Sequence, residues 1–255
     1  MELDDYLGGR RKDKDLLVMA HVVCGYPTFE DNLKALQIMD EAGVDLVELQ
    51  FPFSEPSADG PLFVRANELS LASGTRVSQC FDFMRQVSTR FRFKVLMMGY
   101  YNTVFKLGHQ RFVEQLAAAG GCGYILPDLP VNEAADLHRH SADAGLAPIM
   151  LMAPTNTDQR LAQIAAAGRG FVYAVARKGV TGAQTALNDD LDTFLKRCRA
   201  ATHLPIGVGF GISSRVDIDY LRGRADIAII GTAALRAWES GGETGLAHFF
   251  NGLLA

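Results

Sequence analysis

A closed barrel of eight strand–helix units, a (βα)8 barrel of the α/β class, is the fold this sequence predicts. Three observations predict it. Eight short apolar runs recur along the 255 residues, each followed by a longer amphipathic stretch. The runs are continuous rather than alternating, as expected of parallel strands covered on both faces. The chain is also close to the usual size of one such barrel, and no linker, low-complexity tract or shift in composition divides it. The expectation is therefore a single domain over residues 1–255, with extra short helices.

The predicted strands are Leu17–Val23, Val44–Leu49, Lys94–Met98, Gly123–Leu126, Pro148–Met152, Phe171–Val175, Pro205–Val208 and Asp226–Ile230. Between and after them lie helix-like segments. In Asn32–Ala42 the residues Leu33, Leu36, Ile38 and Met39 gather near one face, and in Val77–Val87 Cys80, Phe81, Met84 and Val87 do the same. Further helices are predicted at Arg111–Ala118, Glu133–Ala144, Thr157–Ala166, Leu191–Ala201, Ser213–Leu221 and Glu243–Leu254. An open, doubly wound sheet is the alternative. It requires a glycine-rich dinucleotide fingerprint after the first strand, and Cys24-Gly25-Tyr26-Pro27 does not supply one. Two connections, Gln50–Leu62 and Arg177–Asn188, are long and follow strands, where a barrel builds its active site.

Composition narrows the function. A net charge of −4 argues against a general nucleic-acid binder. The N-terminal MELDDYLGGRRKDKD is polar and charged, and no run reaches the roughly 18 apolar residues of a membrane span. The expectation is a cytoplasmic enzyme without membrane or nucleic-acid partners. The cysteines at 24, 80, 122 and 198 fit no CxxC spacing, and the six histidines form no metal pattern. No metal site is expected.

Two features carry chemistry. Gly207-Val208-Gly209-Phe210-Gly211-Ile212-Ser213 follows strand seven, and Ile230-Gly231-Thr232-Ala233 follows strand eight. Glycines admit close backbone approach, helix N-termini attract anions, and barrels often hold a phosphate between these two loops. Simple tight turns, with Thr232 only an N-cap, are the plainer reading. The second feature is Glu48, near the C-terminal end of strand two in an otherwise apolar run. A carboxylate there is costly unless paired or functional, and a desolvated carboxyl suits general acid–base chemistry. Asp45 begins the same strand and is expected at the opposite end. The loop Phe51–Pro61 is stiffened by prolines and can hold Asp59 as a second carboxylate.

The stretch Val47-Glu48-Leu49-Gln50-Phe51-Pro52-Phe53-Ser54-Glu55-Pro56-Ser57-Ala58-Asp59-Gly60-Pro61 closely resembles the signature of the tryptophan synthase α subunit family. The resemblance extends over nearly the whole chain, through Tyr100-Tyr101-Asn102, Pro127-Asp128-Leu129-Pro130, Ala153-Pro154-Thr155, Arg177–Gly182, Gly209–Ser213 and Gly231-Thr232-Ala233. It implies a TIM barrel that cleaves indole-3-glycerol phosphate to indole and glyceraldehyde 3-phosphate by a cofactor-free retro-aldol step. It also implies a pyridoxal phosphate-bearing β subunit as partner in an αββα complex. Glu48 then protonates the indole ring carbon and takes the proton of the glycerol hydroxyl, while Asp59 binds the indole N–H. Tyr173 matches an active-site tyrosine. Val180 and Thr181 match a mobile lid. Gly182, Phe210, Gly211, Gly231 and Thr232 match the phosphate site, and Met98, Ile125 and Phe210 the indole pocket.

The chain departs from the family pattern at Gln50, where glycine is usual, and at Glu55 and Tyr26, where aspartate is usual; His21 and Thr232 are milder changes. His21 reads as a core residue in an apolar strand, and Gln50 and Glu55 as lying on the partner-facing side. The competing functions are a stand-alone indole-3-glycerol phosphate lyase, a partner-activating barrel with little catalysis, and another phosphate-binding barrel. A Schiff-base aldolase needs a lysine at a strand's C-terminal end. Lys94 starts its strand, and Lys178 belongs to the lid.

Overall fold

The computed structural model describes residues 3–175, 189–209 and 211–254. Eight parallel strands close into a barrel in sequence order, β1 to β8. They are β1 Leu17–Val23, β2 Leu46–Gln50, β3 Lys94–Met98, β4 Gly123–Ile125, β5 Ala147–Met152, β6 Val172–Val175, β7 Ile206–Gly209 and β8 Ile227–Ile230. Each lies within about two residues of its predicted bounds.

The helices are α1 Leu3–Arg10, α2 Phe29–Glu41, α3 Pro61–Ala72, α4 Val77–Arg90, α5 Tyr101–Leu107, α6 His109–Ala118, α7 Ala135–Asp143, α8 Asp158–Ala167, α9 Asp189–Ala201, α10 Arg215–Leu221 and α11 Thr232–Leu254. Three of them, α1, α3 and α5, are the extra helices that apolar periodicity did not locate. Pro61 occupies the first turn of α3, where its missing N–H costs nothing. α11 starts eleven residues before the expected segment and changes course at Gly242, which has φ 55°. Among the described residues no helix is long and apolar enough to cross a membrane.

The strands are apolar on both faces because both are covered. Val18, Ala20, Val47, Leu49, Val95 and Met97 point outward into the layer beneath the helices. Leu17, Met19, Leu46, Leu96, Met98, Ile125, Ile149, Phe171, Ile227 and Ile229 point inward and fill the barrel. Burying each such aliphatic side chain contributes about 1.5–3 kcal/mol. The inward parity of β2 continues from Leu46 through Glu48 to Gln50, both of which are buried.

α1 closes the N-terminal end. Leu3 and Leu7 are 1% exposed and join the interior cluster. Asp45 lies at this end, as expected, with no side-chain exposure. It accepts from Arg10 Nε at 2.9 Å, from Lys14 Nζ at 3.0 Å and from the Val18 N–H at 3.0 Å. Asp226 repeats the device, bonded by Arg11, by Arg199 at 2.5 Å and by the Ile206 N–H at 2.7 Å. The Lys94 ammonium lies over the Tyr6 ring of α1 at 5.6 Å, which puts that lysine away from the barrel's C-terminal mouth. The four cysteines are free thiols, and three of them are buried.

Candidate active site

β1, β2 and β6 bring four polar side chains, His21, Glu48, Gln50 and Tyr173, into an apolar barrel. Glu48 is 1% exposed, and its Oε1 lies 3.1 Å from His21 Nδ1. His21 sits opposite Glu48 in the β1–β2 register and continues the inward parity of Leu17 and Met19. Its other nitrogen, Nε2, lies 2.8 Å from Gln50 Oε1. Gln50 in turn donates from Nε2 to Asp59 Oδ2 at 2.6 Å. The two carboxylates are thus the ends of one chain of polar contacts, Glu48–His21–Gln50–Asp59.

The loop carrying Asp59 is fixed from several sides. The Tyr100 hydroxyl donates to Asp59 Oδ2 at 3.2 Å and accepts from the Ala58 N–H at 3.0 Å. Phe53 stacks on Tyr100 with ring centroids 5.1 Å apart. Asn67 of α3 accepts from the Phe53 N–H at 3.0 Å. These contacts leave Asp59 6% exposed although it belongs to a loop.

Burial has opposite consequences for the groups in this chain. It pushes the Asp59 carboxyl above its ordinary value, against the lowering pull of His21, Gln50 and Tyr100. It pulls the His21 imidazole down, but Glu48 and Asp59 more than reverse this, so the imidazole is raised. The Tyr173 hydroxyl is held well above its usual range by burial and then by the charges of Glu48 and Asp59. It therefore remains a neutral donor facing the carboxylate pair. Gly209 makes room for it, because a Cβ at 209 would come within 2.6 Å of the Tyr173 hydroxyl oxygen.

Met98 and Ile125 are 5% and 2% exposed and belong to the interior cluster, with Tyr100, Phe53, Ala58 and Tyr173 around it. Both lie at the C-terminal ends of their strands, β3 and β4, in this apolar interior. At the other side of the mouth Gly231 lies against the His21–Phe63 stack, where an added Cβ would be 3.2 Å from Phe63. α11 starts at Thr232, so its first N–H groups face out of the helix end. Gly211 has φ 98°, a left-handed conformation that favours glycine. The Ser213 end of this turn differs from the expectation of an open anion grip. Asp217 accepts from the N–H groups of Ser213 and Ser214, both at 2.9 Å. Phe210, Val180, Thr181, Gly182 and Lys178 lie outside the described residues.

One sequence reading is extended and one is corrected. His21 is the core residue expected in β1, and its two ring nitrogens are taken up by Glu48 and Gln50. Gln50 is fully buried and spans His21 and Asp59, so it does not face a partner. Glu55 does remain exposed. In the sequence Tyr100 is only part of a motif; in the structure its hydroxyl holds Asp59. The signal for His21 and Gln50 was available in strand parity, which puts both on the same inward face as Glu48.

Comparison with known proteins gives the family. A family model described as tryptophan synthase alpha chain matches residues 9–248. The chain belongs to the tryptophan synthase alpha chain family. The tryptophan synthase alpha chain of Desulfotalea psychrophila is 45% identical over 249 residues, covering 98% of each chain. That of Syntrophotalea carbinolica is 44% identical over 251 residues, covering 98% of this chain and 99% of its own. Among solved structures, a tryptophan synthase of Mycobacterium tuberculosis superposes with a TM-score of 0.92 at 32% identity, over 99% of this chain and 96% of that one. A structure from Pyrococcus furiosus, described as concerning mutual activation of the tryptophan synthase α2β2 complex, gives 0.87 at 27% identity, over 94% and 98%.

Proposed function

We propose that this chain cleaves indole-3-glycerol phosphate with Glu48 as its acid–base group and Asp59 as the group that binds the indole N–H. As a member of the tryptophan synthase alpha chain family, the chain is a carbon–carbon lyase of tryptophan biosynthesis, and its partner is a tryptophan synthase β subunit. The observation that carries the residue assignment is the pairing of buried Glu48 and Asp59 on one mouth through His21 and Gln50.

The retro-aldol step follows from this pairing. Protonated Glu48 gives its proton to the indole ring carbon that bears the glycerol chain, using a ring electron pair to form the new C–H bond. The ring nitrogen becomes positive, and the Asp59 carboxylate stabilises it through the N–H. Glu48, now a carboxylate, takes the proton of the adjacent glycerol hydroxyl. The O–H electrons form the aldehyde C=O, the C–C bond breaks, and its pair returns to the ring. Indole and glyceraldehyde 3-phosphate result, and Glu48 ends protonated again. Tyr173 borders the pair as a neutral donor. Gly211, Gly231 and Thr232 are proposed to receive the phosphate, together with Gly182 and Phe210. Met98, Ile125 and Phe210 are proposed to hold the indole ring, with Val180 and Thr181 as lid residues.

The step needs only proton transfers, so the proposal assigns this chain no cofactor of its own and leaves pyridoxal phosphate to the β subunit. A cytoplasmic enzyme built as one barrel domain over residues 1–255 is part of the same reading. Indole release from indole-3-glycerol phosphate by the purified chain, alone and after adding a β subunit, tests it. Equimolar indole and glyceraldehyde 3-phosphate, with release stimulated by the β subunit, is the expected result. No indole under either condition contradicts the reading.

A further inference from the structure

We propose that Glu48, His21, Gln50 and Asp59 hold one shared proton, with His21 and Gln50 as the positioning residues that couple the two carboxylates. This rests on the reading of Glu48 and Asp59 above and concerns how that site is kept in a competent protonation state.

The argument is a count of donors and acceptors along the chain of contacts. An ionised Asp59 can only accept, so the amide nitrogen of Gln50 faces it, at 2.6 Å. The amide oxygen of Gln50 then faces His21 Nε2 at 2.8 Å and can only accept, so Nε2 must carry a hydrogen. An ionised Glu48 likewise only accepts, so Nδ1, at 3.1 Å, must carry one too. With both carboxylates ionised, every contact is made only if His21 is an imidazolium.

One proton can sit elsewhere with all contacts kept. On Glu48 it faces a bare Nδ1, and the imidazole hydrogen stays on Nε2. On Asp59 it faces the Gln50 oxygen after the amide has turned over, and the imidazole hydrogen stays on Nδ1. With no such proton, two acceptors confront each other in a buried site, and one of them is left without a donor. The unit therefore retains a single proton across the range in which an isolated buried carboxyl would lose it. Moving it from Nδ1 to Glu48 Oε1 breaks one N–H bond, forms one O–H bond and leaves a neutral imidazole. That state is the acid which the ring-protonation step requires.

The surroundings support a shared proton. β8 contributes only apolar residues beside β1. Phe63 of α3 stacks on the imidazole at 4.2 Å. Tyr173 and Tyr100 face the carboxylates as neutral hydroxyls. Behind His21 lies a small cavity whose titratable lining groups are Tyr26 and Asp31. Tyr26 is bonded to Glu239 of α11 at 2.5 Å, Glu239 is 3.7 Å from Arg65 of α3, and Asp31 accepts from Thr28 at 2.7 Å. Among the described residues, the groups that shift the imidazole are Glu48, Asp59 and Gln50, none of them a cation.

The test is the pH dependence of kcat for indole-3-glycerol phosphate cleavage by the complex with the β subunit, in wild type, His21→Phe and Gln50→Leu. In His21→Phe the ring stack on Phe63 can persist, but the proton loses its imidazole seat. The basic limb of the profile is expected to move to lower pH by about one unit, a tenfold loss on that limb, with KM changing far less. Gln50→Leu is expected to move the same limb in the same direction. Variants whose profiles only drop in height, with both limbs in place, overturn the proposal. If His21→Phe does not fold, the 15N signals of His21 are titrated in wild type and Glu48→Gln. A lower imidazole midpoint in Glu48→Gln supports the shared proton, and an unchanged one overturns it. A wild-type complex that releases no indole refutes the function instead, while the 15N titration still judges the proton.

Discussion

The Gln50 amide nitrogen lies 2.6 Å from Asp59 Oδ2, so the loop carboxylate is tied to the barrel strand that carries Glu48. A flexible side chain on a loop would otherwise have to be ordered at each turnover. Here Gln50 and Tyr100 hold it in advance.

Asp59→Asn should trade activity for stability. Burial raises the Asp59 carboxyl, so the folded state binds its proton more tightly than the unfolded chain. The stabilisation from this group is complete below its unfolded value and is lost as pH rises through the raised folded value. At neutral pH the asparagine, which is uncharged, is expected to be at least as stable as wild type in urea. Indole release should fall about a hundredfold, the scale of losing one charge-stabilising group.

The same sign applies to His21. Its raised imidazole contributes stability that is fully present below about pH 6.5 and is lost as pH rises through the folded value. Urea midpoints of wild type should therefore decline above neutrality. The His21→Phe curve should be flatter over the same interval.

Gly209→Ala should damage the site from beneath. Its methyl would meet the Tyr173 ring and hydroxyl at 2.6–2.9 Å. Overpacking of this kind costs about 1–3 kcal/mol, read as a lower urea midpoint. Because Tyr173 must move, kcat should fall as well.

Asp45→Ala should lower stability too, but leave the chemistry intact. It strips a buried acceptor from Arg10, Lys14 and the Val18 N–H at the closed end of the barrel. An orphaned buried N–H costs about 1–3 kcal/mol. Below the melting transition kcat should match wild type.

Much of this architecture was legible in the sequence. Continuous apolar runs located all eight strands because both faces of each are covered. Glu48 and Asp59 stood out as carboxylates in apolar or proline-stiffened surroundings. The helices α1, α3 and α5 give no apolar period, because their buried faces are short or half polar: Leu3 and Leu7 in α1, Phe63, Ala66, Asn67 and Ser70 in α3, and Val104 in α5. The roles of His21 and Gln50 are not legible in the motif alone, because they lie in the register that sets His21 opposite Glu48 and Gln50 two residues further along.

The most direct test of the central claim is indole release by Glu48→Gln in complex with a β subunit, with substrate binding measured in parallel. The account predicts a folded complex that still binds indole-3-glycerol phosphate while kcat falls by about a hundredfold to ten-thousandfold, the range for a lost acid–base group. Cleavage at the wild-type rate would contradict it.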